Sequence, residues 1–205
     1  MIVGACELVH ANKVSSDPFI HGRSAMKAFA GLDLKTTALL LDVDGVMTNG
    51  QVFLLPNGDE VKMFSILDGF GIVCAMKVGI KVGIISGRAS PSLKQRCEEL
   101  QIEDLFMDTM DKLPVLEKLS KKYNFPYEAF AFIGDDVPDL PVLERVGLSV
   151  APQNAHDQVK SRVDMVLNKR GGEGAVREFV DFLLAAQEKE DLVLRQFSSK
   201  PSIRN

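Results

Sequence analysis

Short apolar runs alternate along this chain with longer stretches in which apolar residues recur every three or four positions. The first pattern is typical of strands buried on both faces, and the second of helices that pack one face against a sheet. The apolar runs predict strands at residues 38–41, 80–86, 105–107, 129–133, 148–151 and 164–167. The stretches between them predict helices at residues 68–78, 90–100, 111–123, 140–146 and 174–187, with a short helix near residue 156. This alternation predicts an α/β fold with a doubly wound, Rossmann-like, mostly parallel sheet flanked by helices.

Residue types with strong local preferences predict the helix ends and one tight turn. Asp68 is expected to cap a helix that Gly79 ends, and the pair Ser90-Pro91 is expected to open the next helix. Residues 51–64 place two strand-like arms around the sequence PNGD, which favours a tight turn. A β-hairpin is therefore predicted beside the sheet.

Both ends of the chain lack the alternating pattern. Residues 1–35 are mixed in character and form a predicted N-terminal extension, with a short helix near residues 5–12. Residues 36–187 hold the predicted α/β domain. After residue 188 the sequence is polar and has no packing pattern, so residues 188–205 are predicted to be a mobile C-terminal tail.

Composition narrows the class of protein without identifying its chemistry. With 205 residues, a formal net charge of −4 and no concentrated basic patch, the chain suits one globular domain and no nucleic-acid partner. Its apolar runs are far shorter than the roughly 20 residues that span a bilayer, and no signal-peptide pattern opens the sequence, so we expect no membrane partner. Three widely spaced cysteines favour reduced thiols in a cytoplasmic protein, and three scattered histidines give no support for a zinc site.

Polar residues follow three of the predicted strands and open one of the predicted helices. In chain order they are Asp42, Asp44, Ser86, Gly87, Arg88, Lys112, Asp135, Asp136 and Asp139. Ligands of doubly wound sheets bind beyond the carboxyl ends of the strands, where these residues are expected to meet. Side chains two apart on a strand share a side, so Asp42 and Asp44 would repel each other unless a cation or a proton intervenes. Each residue alone is more typical of a helix cap or a loop, and only the combination indicates a site.

Together these residue types supply what hydrolysis of a phosphate monoester requires. A carboxylate can attack phosphorus and form an aspartyl-phosphate, which divides one difficult step into two. Because this attack brings two anions together, Mg²⁺ and a lysine are the usual means of neutralising the phosphoryl oxygens. A second carboxylic acid must protonate the leaving alcohol and later activate water. The sequence therefore favours a Mg²⁺-dependent phosphatase.

Four short motifs resemble those of the haloacid dehalogenase superfamily of aspartate-nucleophile phosphatases. They are DVDGVMT, ISGR, the single Lys112 and GDDVPD, in that order. Only the hairpin at residues 51–64 lies between the first two motifs, which resembles the branch without a large cap domain. The signalling receiver domains also use a phosphorylated aspartate, but they lack the paired aspartates and are considerably shorter.

A narrower resemblance is to the 3-deoxy-D-manno-octulosonate 8-phosphate (KDO 8-phosphate) phosphatases of lipopolysaccharide precursor synthesis. It covers residues 37–187 and rests on DVDGVMTNG, FSILDGFGI, GDDVPDLPVLERVGLSVA and GGEGAVRE. The resemblance implies a phosphorylated acidic sugar as substrate and a homotetramer. In that assembly the hairpins meet centrally and a neighbouring subunit closes each active site.

The resemblance also implies a role for each motif residue. Asp42 would be the nucleophile and a Mg²⁺ ligand, and Asp44 the general acid and base, with its backbone carbonyl on the metal. Asp135 would be the third metal ligand, and Asp136 and Asp139 would support the metal and its waters. Ser86 and Gly87 would contact the phosphate oxygens. Lys112 would supply a cation to the nucleophile and the phosphoryl group. Thr48 either orients Asp44 or packs beneath its loop, and Arg88 either reaches the substrate or braces its own loop.

Three positions depart from the family pattern and leave the substrate open. They are Ser65, Leu67 and Glu173. Arg177 could hold a sugar carboxylate, or it could pair with Glu173 or Asp181 on the helix surface. The alternatives are a phosphatase of a nine-carbon sugar acid 9-phosphate and a non-catalytic oligomerisation partner of a sugar-nucleotide synthetase.

Overall fold

The structure is a computed structural model that describes residues 36–198. The strands are β1 (Ala38–Leu41), β2 (Phe53–Leu54), β3 (Glu60–Val61), β4 (Lys81–Ile85), β5 (Asp104–Phe106), β6 (Phe130–Ile133), β7 (Leu148–Ala151) and β8 (Met165–Val166). The α-helices are α1 (Ile66–Lys77), α2 (Pro91–Leu100), α3 (Leu113–Tyr123), α4 (Leu140–Leu143), α5 (Asp157–Lys160), α6 (Ala175–Ala186) and α7 (Glu190–Ser198). The predicted extension at residues 1–35, with its helix near residues 5–12, lies outside the described residues, as do residues 199–205.

Six strands form one parallel sheet in the order β5-β4-β1-β6-β7-β8, and β2 and β3 form a separate antiparallel hairpin. The chain runs outward from β1 to β5, crosses back through α3 and continues on the other side of β1 with β6. Strand order therefore reverses between β1 and β6, and in such sheets the crevice beyond that point binds ligands. The register pairs Leu41 of β1 with Ile84 of β4 and with Ile133 of β6.

Successive side chains of each central strand enter different cores on the two faces of the sheet. On β1, Leu39 and Leu41 pack in the core that includes α1, α2 and α6. Ala38 and Leu40 pack in the other core, which includes α3, α4 and α5. Helices on both faces confirm the doubly wound fold predicted from the sequence. Within residues 36–198 no helix is long and apolar enough to cross a membrane.

Helix α1 begins differently from the prediction, because its N-cap is Ser65 and not Asp68. The Ser65 hydroxyl accepts a hydrogen bond from the Asp68 backbone N–H at 3.3 Å. The Asp68 carboxylate is buried and accepts from the backbone N–H groups of Gly174 and Arg177, at 3.2 and 2.9 Å. Asp68 thus satisfies the first turn of α6, a helix more than 100 residues later, while burial raises the pKa of its carboxyl group.

The sequence analysis did not predict a helix after residue 188, but the described part of the predicted tail contains one. Residues Glu190–Ser198 form helix α7. The ring of Phe197 lies 5.1 Å from the ring of Phe70 on α1, and Val193 packs against the sheet core. Val193 and Phe197 make these two contacts, while the other apolar residues of the helix, Leu192 and Leu194, are exposed.

Candidate active site

Asp42 and Asp135 meet at the point where strand order reverses. Asp42 directly follows β1, and its backbone N–H donates to the Ile133 carbonyl at the end of β6 at 3.0 Å. Gly134 and Asp135 then follow β6. Among the described residues, the acidic group able to share a metal ion is Asp42, Asp135 and Asp139, whose ligand oxygens lie within 4.8 Å of one another. The strand ends therefore bring together three of the five carboxylates that the sequence singles out.

Lys112 lies in this acidic cluster at the N-cap position of α3. Its side chain is only 4 % exposed, and its ammonium group contacts the Asp42 carboxylate and donates to Asp139 Oδ1 at 2.6 Å. The second oxygen of Asp139 accepts from the backbone N–H groups of Asp135 and Asp136, at 2.9 and 3.3 Å. With these contacts Asp139 fixes Lys112 and the loop after β6, which suits the supporting role expected for it.

The cluster carries more negative charge than Lys112 can neutralise. Burial and the charge of Asp139 raise the pKa of Asp42 to about 7, against the opposing effect of Lys112. Burial and the charges of Asp42 and Asp139 raise the pKa of Asp135 to about 8. Burial disfavours the charged form of Lys112, but its two carboxylate partners outweigh this and hold its pKa above the usual value. An additional cation would relieve the excess negative charge.

The donor set suits Mg²⁺, which binds oxygen ligands and keeps several waters. The carboxylates of Asp42 and Asp135 supply oxygen ligands, and the turn after β1 brings its backbone close to Asp135. Gly45 has φ +100°, and a Cβ at this position would overlap the Asp135 carboxylate. Only glycine combines this positive φ angle with the absence of a Cβ atom. The glycine that interrupts the DVDG motif therefore lets the backbone approach Asp135.

The turn that carries Asp44 is held from below by neighbouring backbone and side chains. The Thr48 hydroxyl accepts from the Gly45 N–H and donates to the Val43 carbonyl, both at 3.4 Å. Of the two roles considered for Thr48, packing beneath the loop is the one these contacts support. Asn154, which the motifs did not indicate, donates to the Gly45 carbonyl at 3.2 Å and accepts from the Gly171 N–H at 2.6 Å. Asn154 thus links the turn to the GGEG segment.

The ISGR segment forms a loop that is closed on itself and tied to the hairpin. The buried Ser86 hydroxyl donates to the Arg88 carbonyl at 2.9 Å and accepts from the Arg88 N–H at 3.2 Å. The guanidinium group of Arg88 pairs with Glu60 on β3 at 2.6 Å. Of the two roles considered for Arg88, bracing the loop is the one that this ion pair supports.

Lys62 is a site residue that the motifs did not indicate. Its side chain is 2 % exposed, its ammonium group contacts the Asp44 carboxylate, and it lies 3.5 Å from Glu60. The alternation of charged and apolar residues along the second hairpin arm indicates that Glu60 and Lys62 share one side of the arm. The sequence does not reveal that the hairpin lies over the site, so the side of the arm that carries Glu60 and Lys62 would be expected to face solvent.

Arg177 and Asp136 also have their partners outside the acidic cluster. Arg177 donates through Nε to both carboxylate oxygens of Asp181 at 2.8 Å, and its guanidinium group lies 5.3 Å from the Phe70 ring centre. This is the helix-surface pairing considered as the alternative for Arg177. Asp136 is exposed and accepts from the Val137 N–H at 2.7 Å, as the N-cap of a short 3-10 helix.

Comparison with known proteins gives consistent matches. Residues 102–179 match the model of the haloacid dehalogenase-like hydrolases. The 3-deoxy-D-manno-octulosonate 8-phosphate phosphatase of Salmonella typhi is 44 % identical over 153 residues, which cover 75 % of this chain and 81 % of that protein. The Moraxella catarrhalis phosphatase of the same name, solved with magnesium, phosphate and KDO, has a TM-score of 0.79 and 33 % identity, over 85 % of this chain and 98 % of that one. The cobalt-bound deoxy-D-mannose-octulosonate 8-phosphate phosphatase of Haemophilus influenzae has a TM-score of 0.75 and 39 % identity. The match covers 77 % of this chain and 92 % of that one.

Proposed function

Because the chain belongs to the 3-deoxy-D-manno-octulosonate 8-phosphate phosphatase family of the haloacid dehalogenase-like hydrolases, we propose that it hydrolyses that sugar acid phosphate to the free sugar acid and phosphate. The observation that carries the proposal is the contact of Asp42 with Lys112 at the switch point of the sheet, beside Asp135. We further propose that the reaction belongs to lipopolysaccharide precursor synthesis and takes place in the cytoplasm.

Asp42 is the proposed nucleophile. Its carboxylate is buried beyond the end of β1, and the Lys112 ammonium group holds one of its oxygens in place. Attack on phosphorus forms an aspartyl-phosphate and releases the sugar alcohol, and hydrolysis of that ester then regenerates Asp42. Lys112 neutralises part of the charge that accumulates as the anionic phosphoryl group approaches an anionic side chain. The ISGR loop, with Ser86 and Gly87, supplies hydrogen-bonding groups for the phosphate oxygens.

Asp44 is the proposed general acid and base. It lies two residues beyond the nucleophile, on the turn that Gly45 and Thr48 shape, and its side chain is partly exposed. In the first step it gives a proton to the leaving alcohol oxygen. In the second it takes a proton from the water that attacks the aspartyl-phosphate.

We propose that the acidic cluster binds Mg²⁺ through the carboxylates of Asp42 and Asp135 and the backbone carbonyl of Asp44. Support comes from the oxygen-rich donor set and from the raised pKa values of Asp42 and Asp135, which indicate unneutralised charge. A bound Mg²⁺ ion supplies positive charge for the phosphoryl oxygens. Asp139 and Asp136 would support the site through the loop that they organise.

We propose that the protein works as a homotetramer with the hairpins at its centre. In support of this, the hairpin presents apolar side chains to solvent: Phe53 is 67 % exposed, Met63 is 74 % exposed, and Leu54 and Val61 are also exposed. Phe53 and Val61 are paired across the hairpin and share one side, whereas Leu54 lies on the other. Exposed apolar side chains grouped as Phe53 and Val61 are typical of protein–protein interfaces.

Phosphate release from KDO 8-phosphate, measured with and without Mg²⁺, tests the proposed function. A parallel assay with a nine-carbon sugar acid 9-phosphate separates the two substrate classes, which Ser65, Leu67 and Glu173 leave open. Mg²⁺-dependent turnover with a preference for the eight-carbon substrate is expected. Turnover no greater than that of the Asp42→Asn variant would overturn the assignment as a phosphatase.

A further inference from the structure

The second arm of the hairpin has its charged residues covered and its apolar residues exposed. Glu60 and Lys62 point toward the rest of the chain and are largely buried, whereas Val61 and Met63 between and beyond them point to solvent. A two-stranded hairpin that packs on a domain usually does the opposite, because burying apolar surface is favourable. The covered charges therefore call for partners beneath the hairpin.

Lys62 finds its partner in Asp44. A buried ammonium group is unfavourable unless it is paired, and the Lys62 ammonium group contacts Asp44 Oδ1. This contact uses one carboxylate oxygen, so Oδ2 is the oxygen that can exchange a proton with a substrate. Asp44 lies on a turn, where its side chain would otherwise have several accessible rotamers.

Lys62 is itself held from the far side. Glu60, two residues earlier on the same side of the arm, lies 3.5 Å from the Lys62 ammonium group through Oε1. Its other oxygen pairs with Arg88 at 2.6 Å, and Arg88 belongs to the loop proposed to bind phosphate. A continuous series of ionic contacts thus joins Asp44 to that loop through Lys62, Glu60 and Arg88.

We propose that Lys62 is a positioning residue that holds the Asp44 carboxylate where Oδ2 can reach the leaving oxygen of the substrate. The inference rests on the proposed phosphatase function, in which Asp44 is the general acid. In the first step the bond from phosphorus to the sugar oxygen breaks, its electron pair stays on that oxygen, and Asp44 supplies the proton. The new bond joins phosphorus to Asp42. In the second step water oxygen bonds to phosphorus, Asp42 leaves, and the water proton returns to Asp44.

The dependence of rate on the leaving group distinguishes this role from a merely structural one. The need for an acid grows as the leaving alcohol becomes less acidic, so a displaced Asp44 penalises phenyl phosphate more than p-nitrophenyl phosphate. These two esters have no sugar, so a lost sugar contact would not alter their ratio. The constant to compare is kcat/KM, which reports on the steps up to release of the alcohol.

The experiment measures kcat/KM for a series of aryl phosphates in the Mg²⁺-loaded wild type and in Lys62→Met. We expect kcat/KM of Lys62→Met to fall at least about tenfold further for phenyl phosphate than for p-nitrophenyl phosphate. The reason is that phenol is the poorer leaving group and depends more on a correctly placed acid. Glu60→Gln keeps Lys62 but weakens its second anchor, and a smaller change in the same direction is expected. Lys94→Met, at an exposed lysine of α2, is the matched control and should change neither constant.

An equal loss on both esters would overturn the positioning role while leaving the phosphatase intact. If Lys62→Met does not fold, Glu60→Gln carries the test, and an unchanged ester ratio in a folded Glu60→Gln variant would likewise count against the proposal. A wild type without activity on any phosphate ester would instead overturn the proposed function itself. The two failures are therefore distinguishable.

Discussion

The ammonium group of Lys112 contacts the carboxylate of Asp42 across 70 residues of sequence. Asp42 directly follows the central strand β1, and Lys112 is the N-cap of helix α3 on the crossover that returns to β6. The same ammonium group also holds Asp139, which organises the loop after β6. This one cation therefore joins the two halves of the sheet at the point where strand order reverses.

Replacing Lys112 with Met should remove activity and destabilise the protein. The change leaves buried carboxylates without their counterion, and breaking a buried ion pair in this way costs about 3 kcal/mol in free energy of unfolding. Because the carboxylates can take up protons instead, the loss should be smaller near about pH 5.5 than near about pH 8.5. Denaturant titrations of the metal-free protein at the two pH values measure this difference.

A double variant provides the control for this prediction. In Lys112→Met with Asp139→Asn, one of the unpaired charges is gone, so the free energy of unfolding should recover in part at the higher pH. A loss of stability in Lys112→Met that is the same at both pH values would contradict the assignment of the effect to buried charge.

The variant Asp42→Asn should lose catalysis while keeping the fold. The amide is isosteric with the carboxylate but does not form an ester with phosphorus, so a loss of at least about 10⁴-fold in kcat is expected. Because the pKa of Asp42 is raised to about 7, its charged form is unfavourable in the folded protein. The metal-free variant should therefore be more stable than the wild type above pH 7. Phosphate release and thermal unfolding test the two halves of this prediction, and retained turnover would exclude Asp42 as the nucleophile.

Mg²⁺ binding should release protons near neutral pH. The pKa values of Asp42 and Asp135 rise from 3.8 to about 7 and about 8, so the metal-free site holds protons that a metal ion displaces. Calorimetric titrations in buffers of different ionisation enthalpy should detect this release. Mg²⁺ affinity should increase as the pH rises through this range, and an affinity independent of pH between about 6 and 9 would contradict the proposed ligands.

The same shifts predict how the metal-free protein responds to pH. Both folded-state pKa values lie above the unfolded-state value, so the favourable contribution of these groups is complete below about pH 4 and is lost as the pH rises toward about 8. In a metal-free buffer the two groups should therefore lower the free energy of unfolding over this interval, and Mg²⁺ should restore it. Comparison with Asp42→Asn, which lacks one of the two groups, isolates the effect of Asp42 from other titrations.

The proposed assembly predicts a mass four times the 22.5 kDa of one chain in light scattering. Replacing Phe53 or Met63 with Glu puts a charge on the exposed apolar side of the hairpin, and the assembly should dissociate into smaller species. Leu194→Glu, at an exposed apolar residue of α7, serves as a matched control for added charge. A wild-type chain that remains monomeric at micromolar concentration would exclude the tetramer.

Much of the fold could be predicted because the pattern reports burial directly. The run 38–41 is apolar throughout since Leu39 and Leu40 enter cores on opposite faces of the sheet. Contacts distant in sequence are a different matter. Asp68 has the residue type of a helix cap, but its carboxylate satisfies α6, and only the packing of α1 against α6 makes that possible. Local preference could indicate a cap without indicating which helix it serves.

The acidic cluster could be predicted from the sheet topology, but the hairpin residues that contact the site could not. Residues that follow parallel strands meet at one edge of the sheet, so Asp42 and Asp135 could be placed together in advance. The position of the hairpin over that edge follows from no such rule. Lys62 and the pairing of Arg88 with Glu60 depend on it, and both became visible only in three dimensions.

The alternation along the second hairpin arm has a consequence for how this protein can be altered. Val61 and Met63 meet solvent or a neighbouring chain, while Lys62 between them meets Asp44. The two sides share one short backbone segment, so an outer-side change that also alters this backbone would move Lys62 away from Asp44. Surface engineering and catalytic rate are therefore linked on this arm, and variants selected for one should be screened for the other.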